Sequence, residues 1–292
     1  MLDGARFTEG SSRSLVCVGA LEAARPGFDG RGHTAIEIIA PNDLAATDPF
    51  VLLIEDRIVR EPGARVGGPH PHAGLETITF VLEGSLRDRD EGALGEGDLA
   101  WMTAGGGVIH GEDTRLPTGH VRLLQLWITL PERARAAPPR VQIVRRSDAP
   151  LQLASGVEAR VYSGQTSSVR SPIRTYVPVT FLDVRLENEA TFEAPLPASY
   201  NGFLLPLEGS VRAEGQRLTA GELGWLDTPE RLGAGSLRIT GQAPKARVVV
   251  VAGERQNERL VQSGPFVAGS RLAIDAMYRA FRAGRFTPIS EL

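Results

Sequence analysis

The chain of 292 residues has a single cysteine, Cys17. No intrachain disulfide can form, which fits a reducing compartment, and a cytoplasmic location is expected. Lysine is almost absent. Lys245 is the lone lysine, so arginine carries nearly all the basic character, and no dense basic segment occurs. With a net charge of −3, there is no electrostatic case for direct nucleic-acid binding or for an anionic membrane surface. No apolar run is long enough to span a bilayer, and Met1–Arg6 shows no signal-peptide pattern. Histidine is scarce as well. There are five, and none lies in the second half of the chain.

What is present fits a soluble β protein. Hydrophobic residues make up 42% and charged residues 23%, ordinary for a globular chain. Gly (33) and Pro (20) are spread along the sequence, as many tight turns between short strands require. Short strands are expected around Leu15–Val18 and Phe50–Ile54. Glu76, Ile78, Phe80 and Leu82 alternate against Thr77, Thr79 and Val81, and Glu83-Gly84-Ser85 reads as a turn. Parity points Glu76 inward with Ile78 and Phe80. Val121 to Leu130 reads as a further strong strand. Such a pattern, with no long amphipathic helix in this half, argues for a small antiparallel barrel or jelly roll. Gly27 to Gly32 reads as a loop, and His33 after it as an ordinary surface histidine.

Pro131 to Pro139 is a break in composition and the best linker candidate. Beyond it the chain echoes itself. Leu207-Glu208-Gly209-Ser210 matches Leu82-Glu83-Gly84-Ser85, and the stretch ending at Trp225 matches the one ending at Trp101. Two turn–strand units in the same order imply a second barrel. The expected division is therefore residues 1–135 and 136–292. The second domain would be a degenerate copy without the metal, carrying a terminal helix over Ser270 to Ala283. Ser270 suits its start and Gly284 its end.

Three of the five histidines fall in two short stretches, Gly67 to Thr77 and Trp101 to Glu112. His70 and His72 are two apart, and in extended chain that spacing puts both imidazoles on one face. His110 and Glu112 repeat the arrangement. Brought together, three nitrogens and one carboxylate form a donor set suited to a divalent Fe, Mn, Ni, Cu or Zn ion with open positions. Met102 and Trp101 lie close by and would line a pocket or pack in the core. Gly105-Gly106-Gly107 reads as a tight turn beside the metal. It lacks the Lys-Ser/Thr of a phosphate loop.

The run from His70 to Gly84, His-Pro-His-x-Gly-x-Glu-Thr followed by a strand, and the run from Gly97 to Glu112, ending Trp-Met-Thr-Ala-Gly-Gly-Gly-Val-Ile-His-Gly-Glu, resemble the pirin family of bicupins. Weaker similarity lies at Asp48 to Leu53, Gln125 to Ile128 and Gly264 to Val267. Two departures fall near the site: Ala73 where the family has Arg, and Leu75 where it has an aromatic. The resemblance implies an all-β fold of two tandem cupin domains with a short C-terminal helix. It places the carboxylate ligand at Glu112, whereas the wider cupin pattern, His-x-His-x3-Glu, would place it at Glu76. Glu76 is then a residue of the surroundings.

The activity implied is that of a quercetin 2,3-dioxygenase, opening the central ring of a flavonol-like aromatic substrate with O2. Iron is the leading metal, with Mn, Ni, Cu and Zn as alternatives, and Glu112 is the expected base. The competing expectation is a metal-holding redox sensor that docks on a protein partner and needs no turnover. A cupin isomerase using the same ligands is a third.

Overall fold

The computed structural model describes residues 11–89, 92–111, 113–227, 233–242 and 244–291. Strands dominate, and the α-helices among the described residues are Leu44–Thr47 and Arg271–Arg282. No helix among them is long and apolar enough to cross a membrane. Contacts divide the chain into two compact units. One gathers residues 22–149, 173–177 and 256 onward; the other gathers the chain up to Leu21, 150–172 and 178–255. The division expected at residue 135 follows the chain, whereas the contacts exchange terminal segments. The N-terminal strand Leu15–Ala20 pairs with Glu222–Leu226, and the C-terminal helix belongs with residues 22–149.

In the first unit Leu75–Asp88 is the central strand. It pairs antiparallel with Leu99–Thr103 and His120–Thr129. His120–Thr129 pairs in turn with Phe50–Val59, and that strand with His33–Ile39. The expected turn at Glu83-Gly84-Ser85 is instead part of the strand. Register slips by one opposite Arg122 and Leu123, a bulge that bends the strand without ending it. Gly84 sits there at φ 74°, where a Cβ would lie 2.3 Å from the His120 carbonyl oxygen.

Residues directly opposite in an antiparallel pair share a face. One face of this sheet carries Thr77 and Thr79 with Met102, Ala100, Trp127 and Gln125. The reverse face carries Glu76, Ile78 and Phe80 with Thr103, Trp101, Leu99, Ile128, Leu126 and Leu124. On the strand His120–Thr129 the reverse face is sealed, while Gln125 and Trp127 are only half-buried. Each sealed Leu, Ile or Phe contributes about 1.5–3 kcal/mol, so the reverse face fixes which way the strands turn.

His33 is not on the surface. It is buried, its Nε2 lies 2.7 Å from Asp56 Oδ1, and the Asp29 backbone N–H donates to its Nδ1 at 3.1 Å. The Gly27 to Gly32 loop folds over the ring. A Cβ on Gly27 would overlap it at 2.3 Å, so only glycine fits.

The second unit holds a sheet whose order by strand is Leu151–Ala154, Val157–Ser163, Val179–Glu187, Lys245–Glu254, Tyr200–Glu208, Glu222–Leu226 and Leu15–Ala20. The near-continuous apolar run Val248 to Ala252 occupies a central strand and is buried throughout, as the pattern of a strand covered on both sides requires. Val161, Leu182, Val184, Phe192, Leu204 and Val250 belong to its core. The fully buried Arg13 ties the N-terminal segment down. Its guanidinium donates to Asp227 Oδ1 at 2.7 Å and to the Pro197 and Tyr200 carbonyls at 2.8 and 3.0 Å.

The helix Arg271–Arg282 has its expected caps. Ser270 Oγ accepts from the Ala273 N–H at 3.2 Å, and Gly284 follows at φ 66°. Ile274, Met277, Tyr278 and Phe281 pack inward around Phe266 and Phe286, and Leu272 points to solvent.

Candidate metal centre

The three-residue strand His70–His72 pairs antiparallel with Val108–His110. It is the edge of its small sheet, where Pro71 costs no ladder hydrogen bond. His110 lies opposite His70, and Val108 opposite His72. All four therefore share a face, and Pro71 and Ile109 share the other. Ring centroids are 4.4 Å apart for His70 and His110, 5.0 Å for His70 and His72, and 5.1 Å for His72 and His110. One ligand nitrogen from each of the three lies within 4.8 Å of the others. Bonds of about 2.1 Å to a common ion separate neighbouring nitrogens by roughly 3–3.4 Å, which small side-chain rotations reach from here.

The donor chemistry fits an ion. His70 Nδ1 is 2.8 Å from the Gly68 carbonyl oxygen, which can only accept; Nδ1 therefore carries the proton, and Nε2 offers its lone pair. Gly111, at φ 82°, packs against the same ring; a Cβ there would meet the Gly68 oxygen at 3.1 Å and His70 Cε1 at 3.2 Å. Burial holds the His72 pKa well below its ordinary 6.5, helped by the neighbouring His110 and His70. His72 is therefore a neutral imidazole, the form that binds a metal. The Trp127 indole stands edge-on to His72, with centroids 4.9 Å apart and planes at 80°.

Of the other expected residues, Met102 lies on the sheet face of Trp127, whereas Glu76 and Trp101 lie on the reverse face. Glu76 is fully buried there, and its Oε1 accepts from Thr103 Oγ1 at 2.6 Å. Burial raises its pKa to about 6, against the opposing effects of Thr103, Trp101, Arg140 and the Tyr176 backbone. It does not join the three imidazoles. Glu112 lies outside the described residues.

Sequence reasoning missed how the C-terminal segment builds this site. Pro265 and Val267 bond Ala73 on both sides, with the Ala73 N–H to the Pro265 oxygen at 3.4 Å and the Val267 N–H to the Ala73 oxygen at 3.1 Å. Thr287–Pro288 runs parallel to Val108–Ile109 and pairs with it. Gly74 (φ 77°) and Gly107 (φ 130°) admit these approaches; a Cβ would lie 1.9 Å from the Val267 oxygen in one case and 2.2 Å from the Phe286 ring in the other. Trp127 was also missed as a site residue. Gln125 and Trp127 interrupt the otherwise aliphatic run Leu123 to Ile128 on alternate positions, and that is its signal.

Comparison with known families decides the relationship. A family model described as pirin matches residues 33–128, and one described as the pirin C-terminal cupin domain matches residues 181–287. The chain belongs to the pirin family. Its fold is accordingly two cupin domains. Human pirin is 30% identical over 278 residues, spanning 89% of this chain and 90% of that protein. A Pseudomonas aeruginosa protein provisionally named as a quercetin 2,3-dioxygenase is 33% identical over 279 residues, spanning 90% and 95%. The crystal structure of a Geobacillus kaustophilus protein, 34% identical, superposes with a TM-score of 0.78 over 86% of this chain and 99% of its own. Within this pirin chain, His70, His72 and His110 form a group that could hold a metal ion.

Proposed function

We propose that this pirin is a metal-dependent dioxygenase that opens the central ring of a flavonol-like substrate with O2. The observation that carries the proposal is the convergence of His70, His72 and His110 on one face, beside the half-buried Trp127. The 33% identity to the Pseudomonas protein points to the substrate class. The three imidazoles would hold the ion, with Glu112 as the fourth ligand. A bound divalent ion supplies Lewis acidity and, if it is iron or copper, redox chemistry toward O2.

The remaining work falls to side chains. Glu112 takes the proton from the substrate's 3-hydroxyl as general base. The Trp127 ring offers an apolar edge for a planar aromatic body. Met102, on the same sheet face, is fully buried in the core cluster against which Trp127 packs. Iron is the first candidate ion, since three imidazoles and a carboxylate with open positions suit it; Mn, Ni, Cu and Zn suit the same donors.

The test is O2 consumption with quercetin by protein loaded separately with each of these ions. Uptake should depend on the ion and disappear in His72→Ala. Glu112→Gln should retain metal and lose turnover. Full loading without uptake for every ion would refute the oxygenase reading.

A further inference from the structure

His70 is the exposed member of the imidazole group, carried on the segment Val66 to Pro69 that precedes its strand. Two backbone hydrogen bonds hold that segment from outside. The Val66 N–H donates to the Thr114 oxygen at 3.0 Å, and the Gly67 N–H donates to Asp29 Oδ1 at 3.0 Å. The next residue, Gly68, then fixes the His70 ring through its carbonyl.

Asp29 is itself held rigidly. Arg60 Nη2 donates to its backbone oxygen at 2.8 Å and to Oδ2 at 3.1 Å. Its backbone N–H is bound by His33 Nδ1, and His33 is bound by the buried Asp56. A lone surface aspartate would be a poor anchor. This one stands on a buried pair, inside a loop closed by the Gly30 and His33 amides.

We propose that Asp29 is a positioning residue for His70, and that the His33–Asp56 pair is the fixed point from which it acts. This rests on reading the three imidazoles as metal ligands. Among the described residues, Asp29 touches no ligand atom. It acts by setting where the Gly67–Gly68 backbone lies, and so where the His70 nitrogen points.

The experiment compares wild type, Asp29→Ala and the milder Asp29→Asn by two measurements. Co(II) titration reads affinity, and hydrogen exchange of the metal-free chain reads the backbone. We expect Asp29→Ala to weaken Co(II) binding by about 10-fold, the lower end for loss of a ligand's outer support. Asp29→Asn should show a smaller loss. Exchange should quicken in peptides covering residues 66–72 and not in those covering 121–129, a strand with which that segment does not pair. Unchanged affinity or unchanged exchange in Asp29→Ala would overturn the proposal. So would faster exchange in both peptides, because that is general loosening. If wild type takes up no Co(II), the metal reading itself fails, while the exchange comparison still decides whether Asp29 anchors the segment.

Discussion

His110 stands directly across an antiparallel pair from His70, with ring centroids 4.4 Å apart. One register therefore sets two imidazoles, and His72, two residues along, follows on the same face. A slip of one residue would turn the set away from its partner. The arrangement belongs to the backbone pairing more than to any single side chain.

Removing one imidazole should therefore leave the fold and weaken the site. His72→Ala and His110→Ala are each expected to lower metal affinity by at least about 100-fold, since outer-shell partners alone cost 10–100-fold. Metal titration and thermal unfolding of the metal-free variants check this. A variant that binds as tightly as wild type would remove that histidine from the ligand set.

The C-terminal segment is predicted to be a structural part of the site. Phe286 packs against Phe266 and Phe281 with centroids 5.8 Å apart in each case, and the next residues pair with Val108–Ile109. Phe286→Ala should cost about 3–5 kcal/mol in urea unfolding. It should also weaken metal binding, because the His110 strand loses its neighbour. Gly107→Ala should act in the same direction through the clash with the Phe286 ring.

Glu76 should make stability depend on pH. Burial raises its pKa from 4.5 to about 6. Between those values the folded chain holds a proton that the unfolded chain has released. The stabilisation is full below the unfolded value of 4.5 and is lost as pH rises through about 6, a change of about 2 kcal/mol. Glu76→Gln cannot ionise. Its stability relative to wild type should rise by about 2 kcal/mol from about pH 4 to about pH 8. A constant difference across that range would contradict the burial argument.

Arg13→Ala tests the second unit separately. It leaves the Asp227 carboxylate and three backbone carbonyls, those of Pro197, Tyr200 and Asp227, without their buried guanidinium, and should cost about 3–5 kcal/mol. Unfolding midpoints measured with Arg13→Ala and Arg13→Lys would check it. The lysine cannot reproduce the forked contacts and should recover only part of the loss.

Much of this was legible in the sequence because it rests on local rules. Spacing put His70 and His72 on one face, and alternation marked the strands that bury Ile78, Phe80 and Leu126. Ser270 and Gly284 marked the helix ends. What could not be read depends on tertiary approach. Glu76 has the parity of buried residues, yet parity cannot say which buried face holds the imidazoles. His33 looks like a surface residue until Asp56 comes alongside from another strand. The contribution of Thr287–Pro288 to a site made by residues 70–110 follows from a long-range pairing that no local pattern carries.

Anomalous diffraction from crystals grown with Fe(II) or Ni(II), collected on both sides of the metal edge, locates the ion itself. A metal held by the three imidazoles requires one strong peak about 2.0–2.3 Å from nitrogens of His70, His72 and His110. No peak there at full metal saturation, or a peak held by other residues, would contradict that ligand set.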